Sequence, residues 1–268
     1  MRLRGINIHP VKSTAIRPVR EAYVGRAGLV GDREWMIVDG DGELVSAREI
    51  RELFRIVADT PATGGSADLR LSAPGHAAIE VACPTEGVRD IVMFKKVKMR
   101  ARPAGQEADA WLRRVLDRDD VSLVWCHDPL QRTLDAKDGF GISDHATFQD
   151  DSPVSLITDA SVAAIDSWSP ETITVERFRP SLVVEGAEEA FAEDGWSEVA
   201  IGSVRLRMVT PVSRCVMITI DPETLAKGKD PLRTLAAHRK RDGKVWAAVH
   251  LVVVDTGEIA VGDEVIVS

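Results

Sequence analysis

The sequence predicts a mainly β, α+β fold, barrel-like, with an N-terminal β-rich domain over residues 1–120, a second domain over 121–268 and a few short helices. Three observations carry this expectation. Short apolar or alternating runs bounded by Gly, Pro and Ser recur along the whole chain, which is the punctuation of strands and turns. Apolar stripes at helical spacing are few. Strands and helices do not alternate as βαβ units, so an open parallel sheet is not the expected form.

In chain order, Leu3–Ile8, Val19–Val24 and Arg33–Val38 read as the first strands. Asp39-Gly40-Asp41-Gly42, between Trp35–Val38 and Glu43–Val45, predicts a hairpin, because glycine supplies the positive φ that a tight turn needs. Ser46 and Glu49 stand at capping-box spacing ahead of Ile50, Leu53 and Phe54, which predicts a short helix. Further strands are expected at Leu69–Leu71, Ile79–Val81 and Ile91–Met99. Over Gln106–Asp117, Ala108, Trp111, Leu112, Val115 and Leu116 form the stripe of an amphipathic helix docked on a sheet. The polar stretch Asp128–Ser152, with Asp138-Gly139 and Gly141, reads as a long loop near the join of two halves, a place where sites are often found. Beyond it come a strand at Val154–Thr158, a helix from about Ser161 to Trp168 and strands near Ile173 and over Leu182–Val184, Glu198–Met208, Cys215–Ile220, Lys244–Val254 and Glu264–Val267. Asp230-Pro231 offers an N-cap and an N1 proline to a helix carrying Leu232, Leu235 and Ala236.

Composition narrows the function classes. With 44% hydrophobic and 28% charged residues the chain is globular in character. Lys and Arg number 34 against 42 Asp and Glu, and the formal net charge of −8 argues against a broad nucleic-acid or anionic-membrane surface, so an anionic ligand needs a local basic pocket. No run approaches the roughly 20 apolar residues of a membrane span, and Met1-Arg2-Leu3 enters a strand pattern with no signal-peptide apolar core, so cytoplasmic residence is expected. Cys83, Cys126 and Cys215 are widely separated and odd in number, which leaves neither a disulfide framework nor a CxxC site. The histidines lack HExxH spacing, and no GxGxxG, GxSxG or Walker loop is present.

Cys215 is the most informative cysteine. It lies in Pro211-Val212-Ser213-Arg214-Cys215-Val216, where a loop meets an apolar run, and Arg214 beside it favours the thiolate that binds soft metals or attacks electrophiles. A buried structural cysteine is the alternative on spacing alone. Basic residues recur beside Gly or Pro at Pro10-Val11-Lys12-Ser13, Gly31-Asp32-Arg33 and Arg177-Phe178-Arg179-Pro180. If they converge, they make a phosphate cradle; if they do not, they are solvated or paired with carboxylates.

Several segments in order resemble the MOSC superfamily, in its two-part proteins with an N-terminal β-barrel domain ahead of the MOSC domain. They are Pro10–Ser13, Gly28–Asp39 and Ser46–Glu49, then Arg177–Pro180, Glu193–Trp196, Ile201-Gly202, Ser213–Cys215, Asp221-Pro222, Pro231–Leu235 and Val261–Val265. Members of this kind, among them amidoxime-reducing components, bind a molybdenum cofactor (Mo-molybdopterin) and reduce N-hydroxylated substrates. The resemblance implies that Cys215 is the metal ligand and catalytic residue. It also implies that Lys12, Ser13, Arg33, Arg177, Arg179, Ser213 and Arg214 contact the pterin or its phosphate, and that Ser155 and Thr158 belong to the same wall. Ser181 stands where the family has Asn after Arg-Phe-Arg-Pro, and Trp246-Ala247 where many relatives have Phe-Gly. The cysteine spacing of a C-terminal iron–sulfur domain is missing, so a separate ferredoxin- or flavoprotein-like electron donor is expected, with a small N-hydroxylated molecule as substrate. Two other roles stay open for the same cysteine: a persulfide carrier, or a protein that binds molybdenum cofactor without turning anything over.

Overall fold

The structure, a computed structural model, describes residues 1–136 and 139–268. The chain opens with β1 (Arg2–Ile8), β2 (Arg17–Val19), β3 (Glu21–Gly25), β4 (Gly28–Leu29) and β5 (Trp35–Val38). After a 3-10 turn come β6 (Val57–Asp59), β7 (Leu69–Ala73), β8 (His76–Val81), β9 (Arg89–Val92), β10 (Lys98–Pro103), helix α1 (Gln106–Leu116) and β11 (Ser122–Trp125). The rest holds β12 (Val154–Thr158), α2 (Asp159–Trp168), β13 (Leu182–Glu185), β14 (Glu198–Ile201), β15 (Val204–Ser213), α3 (Leu232–Arg239), β16 (Lys240–Arg241), β17 (Lys244–Asp255), β18 (Gly257–Ala260) and β19 (Val265–Val267).

The fold is α+β and mainly β, as the punctuation of the sequence predicts. A nine-stranded sheet runs β19-β14-β15-β17-β12-β13-β1-β2, with β16 on β17. Its path is open, yet Leu3 donates to Asp263 and Gly262 donates back to Leu3, which draws the start of β1 toward the strand at the far end. Three smaller sheets, β5-β11-β10-β9, β18-β3-β4 and β6-β7-β8, complete the architecture. β1 buries Leu3, Ile6 and Ile8, an irregularity in its pairing between Leu3 and Gly5 bringing Leu3 onto the same face, and they meet Val154, Leu156, Leu182, Val204 and Leu251 in one core beneath the large sheet. A second core forms where α1 lays Ala108, Trp111, Leu112 and Leu116 on Trp35, Ile37 and Leu123. The indole N–H of Trp111 is satisfied there by the carbonyl of Ala77 at 2.7 Å. Each such large apolar side chain contributes about 1.5–3 kcal/mol by leaving water.

Several local expectations change in context. Val19–Val24 is interrupted at Arg20 into β2 and β3, because the two halves serve different sheets. Ile91–Met99 is not one strand but the antiparallel pair β9 and β10, folded at Phe94–Lys96. The helix expected after Ser46 is a 3-10 turn over Arg51–Arg55. Pro231 sits at the N-cap of α3 rather than at N1, and the Asp230 carboxylate caps by accepting from the amide and hydroxyl of Thr234. Asp138, part of the predicted long loop, lies outside the described residues.

The most consequential change is at Cys215–Ile220, which is not a strand. Register between β15 and β17 slips between Pro211 and Ser213, and such bulges bend a strand out of its ladder. The chain therefore leaves the sheet and tightens into a 3-10 turn at Val216–Thr219 with Cys215 as its N-cap. The apolar run survives as packing, since Ile218 and Ile220 remain buried inside the turn. This departure is what brings the thiol off the sheet and onto a cavity wall.

Candidate functional site

A cavity of about 340 Å³ opens where the end of β15, the loop before β12, the turn before β13 and the N-terminal loops meet. Seven of its lining residues are basic, namely Lys12, Arg33, Arg48, Arg177, Arg179, Arg214 and Lys244, and two are acidic, Asp150 and Asp151. In a chain of net charge −8 this is a strong local reversal of sign, which suits an anionic ligand. Cys215 lines the same wall and is half-buried rather than sealed in the core.

The thiol is held by groups that come from far along the chain. Arg48 Nη2 donates to Cys215 Sγ at 3.6 Å and to Asp150 Oδ2 at 2.9 Å, and its guanidinium lies 4.4 Å from the centroid of the Phe94 ring. Burial works against the charge of Arg48, but Asp150 and Cys215 outweigh it and raise the Arg48 pKa. Asp150 also meets Lys12 Nζ at 2.5 Å. Burial alone would raise the Asp150 carboxyl, yet Lys12 and Arg48 hold it well below the usual carboxylate range. Burial pulls the Lys12 ammonium down to about 8 against the pull of Asp150. Desolvation pushes the Cys83 thiol up to about 11 and the Cys126 thiol up to about 12, which keeps both protonated.

Three guanidinium groups on the wall each keep one buried nitrogen without a hydrogen bond, and that of Arg177 stands 3.9 Å from Asp221 Oδ2. Among the described residues, Arg177 Nη1, Arg179 Nη1 and Arg214 Nε are buried without a hydrogen-bond partner. Their other nitrogens fix them in place. Arg179 Nη2 donates to the carbonyl of Thr14 at 2.7 Å, and Arg214 Nη2 to that of Phe178 at 2.7 Å. Burial lowers Arg179 to about 9, helped by Arg33, and lowers Arg214 to about 10. Buried cations with idle donors call for an anion. Ser13, Arg33 and Arg179 also hold positive φ values of 68°, 52° and 50°, a conformation that non-glycine residues adopt at a cost and that clusters at functional sites.

Behind the wall lies a fully buried pair, His9 and Asp32. Asp32 Oδ1 accepts from the His9 backbone at 2.8 Å and lies 3.1 Å from His9 Nδ1, while Oδ2 meets Arg33 Nη1 at 2.5 Å. Gln149, on the cavity wall, donates to the Asp32 carbonyl at 3.1 Å. Burial, followed by the charges of Arg33 and Arg179, pushes His9 down to about 3, so the imidazole is neutral with Nδ1–H toward Asp32. Burial opposes the Asp32 charge, but Arg33 and the His9 hydrogen bonds prevail and hold its pKa far down.

A pH dependence follows from His9. Its folded pKa lies below the unfolded value, so the unfolded chain gains a proton first as pH falls below about 6.5, and stability is lost between there and about 3. Between pH 7 and pH 5 the protein is expected to lose about 2 kcal/mol that a His9→Gln variant does not lose. Urea unfolding midpoints of both proteins at the two pH values measure this, and parallel losses would remove His9 as the cause.

Of the residues that the sequence proposes, Lys12, Ser13, Arg33, Ser155, Arg177, Arg179, Ser213, Arg214 and Cys215 line the cavity together. Thr158 does not. It is fully buried as the N-cap of α2, where its hydroxyl is 2.9 Å from Glu193 Oε2 and 2.8 Å from Ser161 Oγ, and its N–H faces Glu193 Oε1. Strand alternation explains this, since Ser155 and Thr158 cannot share a face of β12. Ser181, where the family has Asn, is on the wall and accepts from the Ser155 amide at 3.2 Å. Trp246 is off the wall, with its indole N–H on the carbonyl of Arg241. Sequence reading passed over Arg48, Asp150, Lys244 and His250 as site residues. Arg48 lies within the Ser46–Glu49 motif, so its charge was the available signal.

Among the described residues no helix is long and apolar enough to cross a membrane, and no group of three or more His, Cys, Asp and Glu forms a metal cluster. Residues 1–119 match the MOSC N-terminal beta barrel domain and residues 143–266 match the MOSC domain. Mitochondrial amidoxime-reducing component 1 of Danio rerio is 33% identical over 273 residues, covering 96% of this chain and 82% of that protein. The protein of that name from Homo sapiens is 29% identical over 273 residues, covering 96% and 80%. That from Xenopus laevis is 31% identical over 278 residues, covering 96% and 79%. With both regions matched in order and a relative of 33% identity aligned along nearly the whole length, the chain belongs to the MOSC domain family, in the two-part form that carries the MOSC N-terminal beta barrel domain.

Proposed function

We propose that this chain binds a molybdenum cofactor in the basic cavity and reduces N-hydroxylated nitrogen there. The observation that carries the reading is the convergence of seven basic residues, three with idle buried donors, on the wall that presents Cys215. The names of the similar proteins, amidoxime-reducing components, supply the substrate class.

The residues present fit such a group. Arg179 and Arg214 have N–H groups without a hydrogen bond for a phosphate, Arg177 adds a third that faces Asp221 at 3.9 Å, and Ser13 and Ser213 add hydroxyls on the same wall. Cys215 offers one soft thiolate sulfur, the donor type that suits a metal whose other ligands come with the cofactor. When bound, the cofactor supplies the two-electron change at molybdenum by which an N–O bond is cleaved to an amine and water. Arg48 holds the Cys215 sulfur in place, and Asp150 holds Arg48. The reaction consumes two protons, and His250 and Asp151, 3.9 Å apart on the same wall, are the groups we assign to deliver them.

Freshly isolated protein is expected to contain molybdenum and pterin in equal amounts and to reduce a hydroxylamine with dithionite as electron source. Arg179→Ala combined with Arg214→Ala should lower the cofactor content roughly 10-fold or more, since each removes a charge-assisted donor. Full turnover without molybdenum would overturn the reading. Cofactor held in full with no reduction of any N-hydroxylated compound would mark a carrier instead.

A further inference from the structure

We propose that the basic segment Lys227–Lys244, which brackets the loop carrying Cys215, is the docking surface for a small acidic electron-transfer protein. This rests on the reductase reading above and on the separate electron donor that the family resemblance implies. The segment holds seven basic residues against Asp230 and Asp242, in a chain whose net charge is −8.

Its position follows from backbone bonds at its two ends. Gly228 N–H donates to the Thr219 carbonyl at 2.9 Å, and Arg214 N–H donates to the Val245 carbonyl at 2.8 Å. The chain thus leaves one end of the 214–219 loop, forms α3, β16 and the hairpin, and returns to the other end. Lys244, at the start of β17, is exposed and also lines the cavity with Cys215. A partner that touches this hairpin therefore sits at the cavity opening.

Much of the charge is unspent. Arg233 pairs with Asp230, and Arg239 and Arg241 share Asp194. Glu171, the acid beside Gly228, faces Arg177. Among the described residues Lys227, Lys229, Lys240 and Lys244 form no ion pair, and all four are exposed. The side chains of Arg233 and Arg241 remain 61% and 57% exposed in their pairs. Val216, next to Cys215, adds an exposed apolar residue within this basic surround. A few apolar contacts ringed by solvated charge suit a brief redox encounter, in which steering sets the rate and tight burial would slow release.

The test uses the molybdenum-loaded protein and a reduced plant-type [2Fe–2S] ferredoxin, an acidic one-electron carrier, with dithionite in a parallel series. The triple variant Lys227→Glu, Lys229→Glu, Lys240→Glu reverses charge at exposed sites off the cavity wall. Its turnover with dithionite and its Tm are expected to match the parent, while the second-order rate with ferredoxin at low salt falls about 10-fold or more and loses its salt dependence. A control with the same number of reversals at exposed Arg70, Arg100 and Arg114 should retain most of the ferredoxin rate. Three outcomes overturn the proposal: no electron transfer from ferredoxin to the parent protein while dithionite supports turnover, equal ferredoxin rates in the parent and the triple variant, or equal losses in the triple variant and the control. No turnover with either reductant defeats the reductase reading itself.

Discussion

Cys215→Ala is expected to abolish molybdenum retention and hydroxylamine reduction while leaving the fold intact. The loss in turnover should be at least about 100-fold, because partners that merely orient a metal ligand are already worth roughly 10- to 100-fold. Stability should change by less than about 1 kcal/mol, since the thiol is half-buried at a turn and its hydrogen bond is a long one from Arg48. Cys126→Ala is the control. That thiol is buried in another core, 3.5 Å from the Asp128 carbonyl, and its loss should leave metal content and turnover near the parent values. Molybdenum per chain, single-turnover rates and melting curves on the three proteins decide the matter. A fully loaded, fully active Cys215→Ala protein would end the assignment of that sulfur.

The second large effect is expected from Asp32→Ala, and it is one of stability. Asp32 is fully buried and receives the His9 backbone amide, the His9 ring and the Arg33 guanidinium, with Gln149 on its carbonyl. Removing the carboxylate strands the Arg33 cation beside Arg179, whose own charge is already disfavoured by burial and by Arg33. Breaking a buried pair in this way costs about 3–5 kcal/mol. The carboxyl pKa is depressed in the folded state, so its contribution is present above the ordinary carboxylate pKa of about 3.9 and is lost only as pH falls below that. Between pH 5 and pH 8 the gap between the parent and the variant should therefore stay constant as far as Asp32 is concerned. Urea titrations at those two pH values measure it, and a loss below about 1 kcal/mol would show that the cluster does not depend on this charge.

Arg48 and Asp150 illustrate where reading along the chain stops. Arg48 meets Asp150 across 102 positions and Cys215 across 167, so nothing in the neighbourhood of any one of them announces the contact. Thr158 illustrates the reverse error. The family resemblance implies a place for it on the wall beside Ser155, but the pleat of β12 points it into the N-cap of α2. The Cys215–Ile220 run failed for a related reason. Its apolar pattern fits a strand or a packed turn equally, and the bulged pairing of β15 with β17 chose the turn.

Local chemistry alone was enough for the β-rich class, for the buried stripe of α1 and for the glycine-bearing hairpin after β5, because period, turn type and capping depend on residues within a few positions of one another. The motifs around Lys12, Arg33, Arg177 and Cys215 likewise stand in the chain in order. Only the folded molecule decided that these cations share one cavity, that burial lowers Lys12, Arg179 and Arg214, and that His9 stays neutral behind them. Desolvation and charge coupling act through space among residues distant in sequence, so they exist only once the strands have brought those residues together.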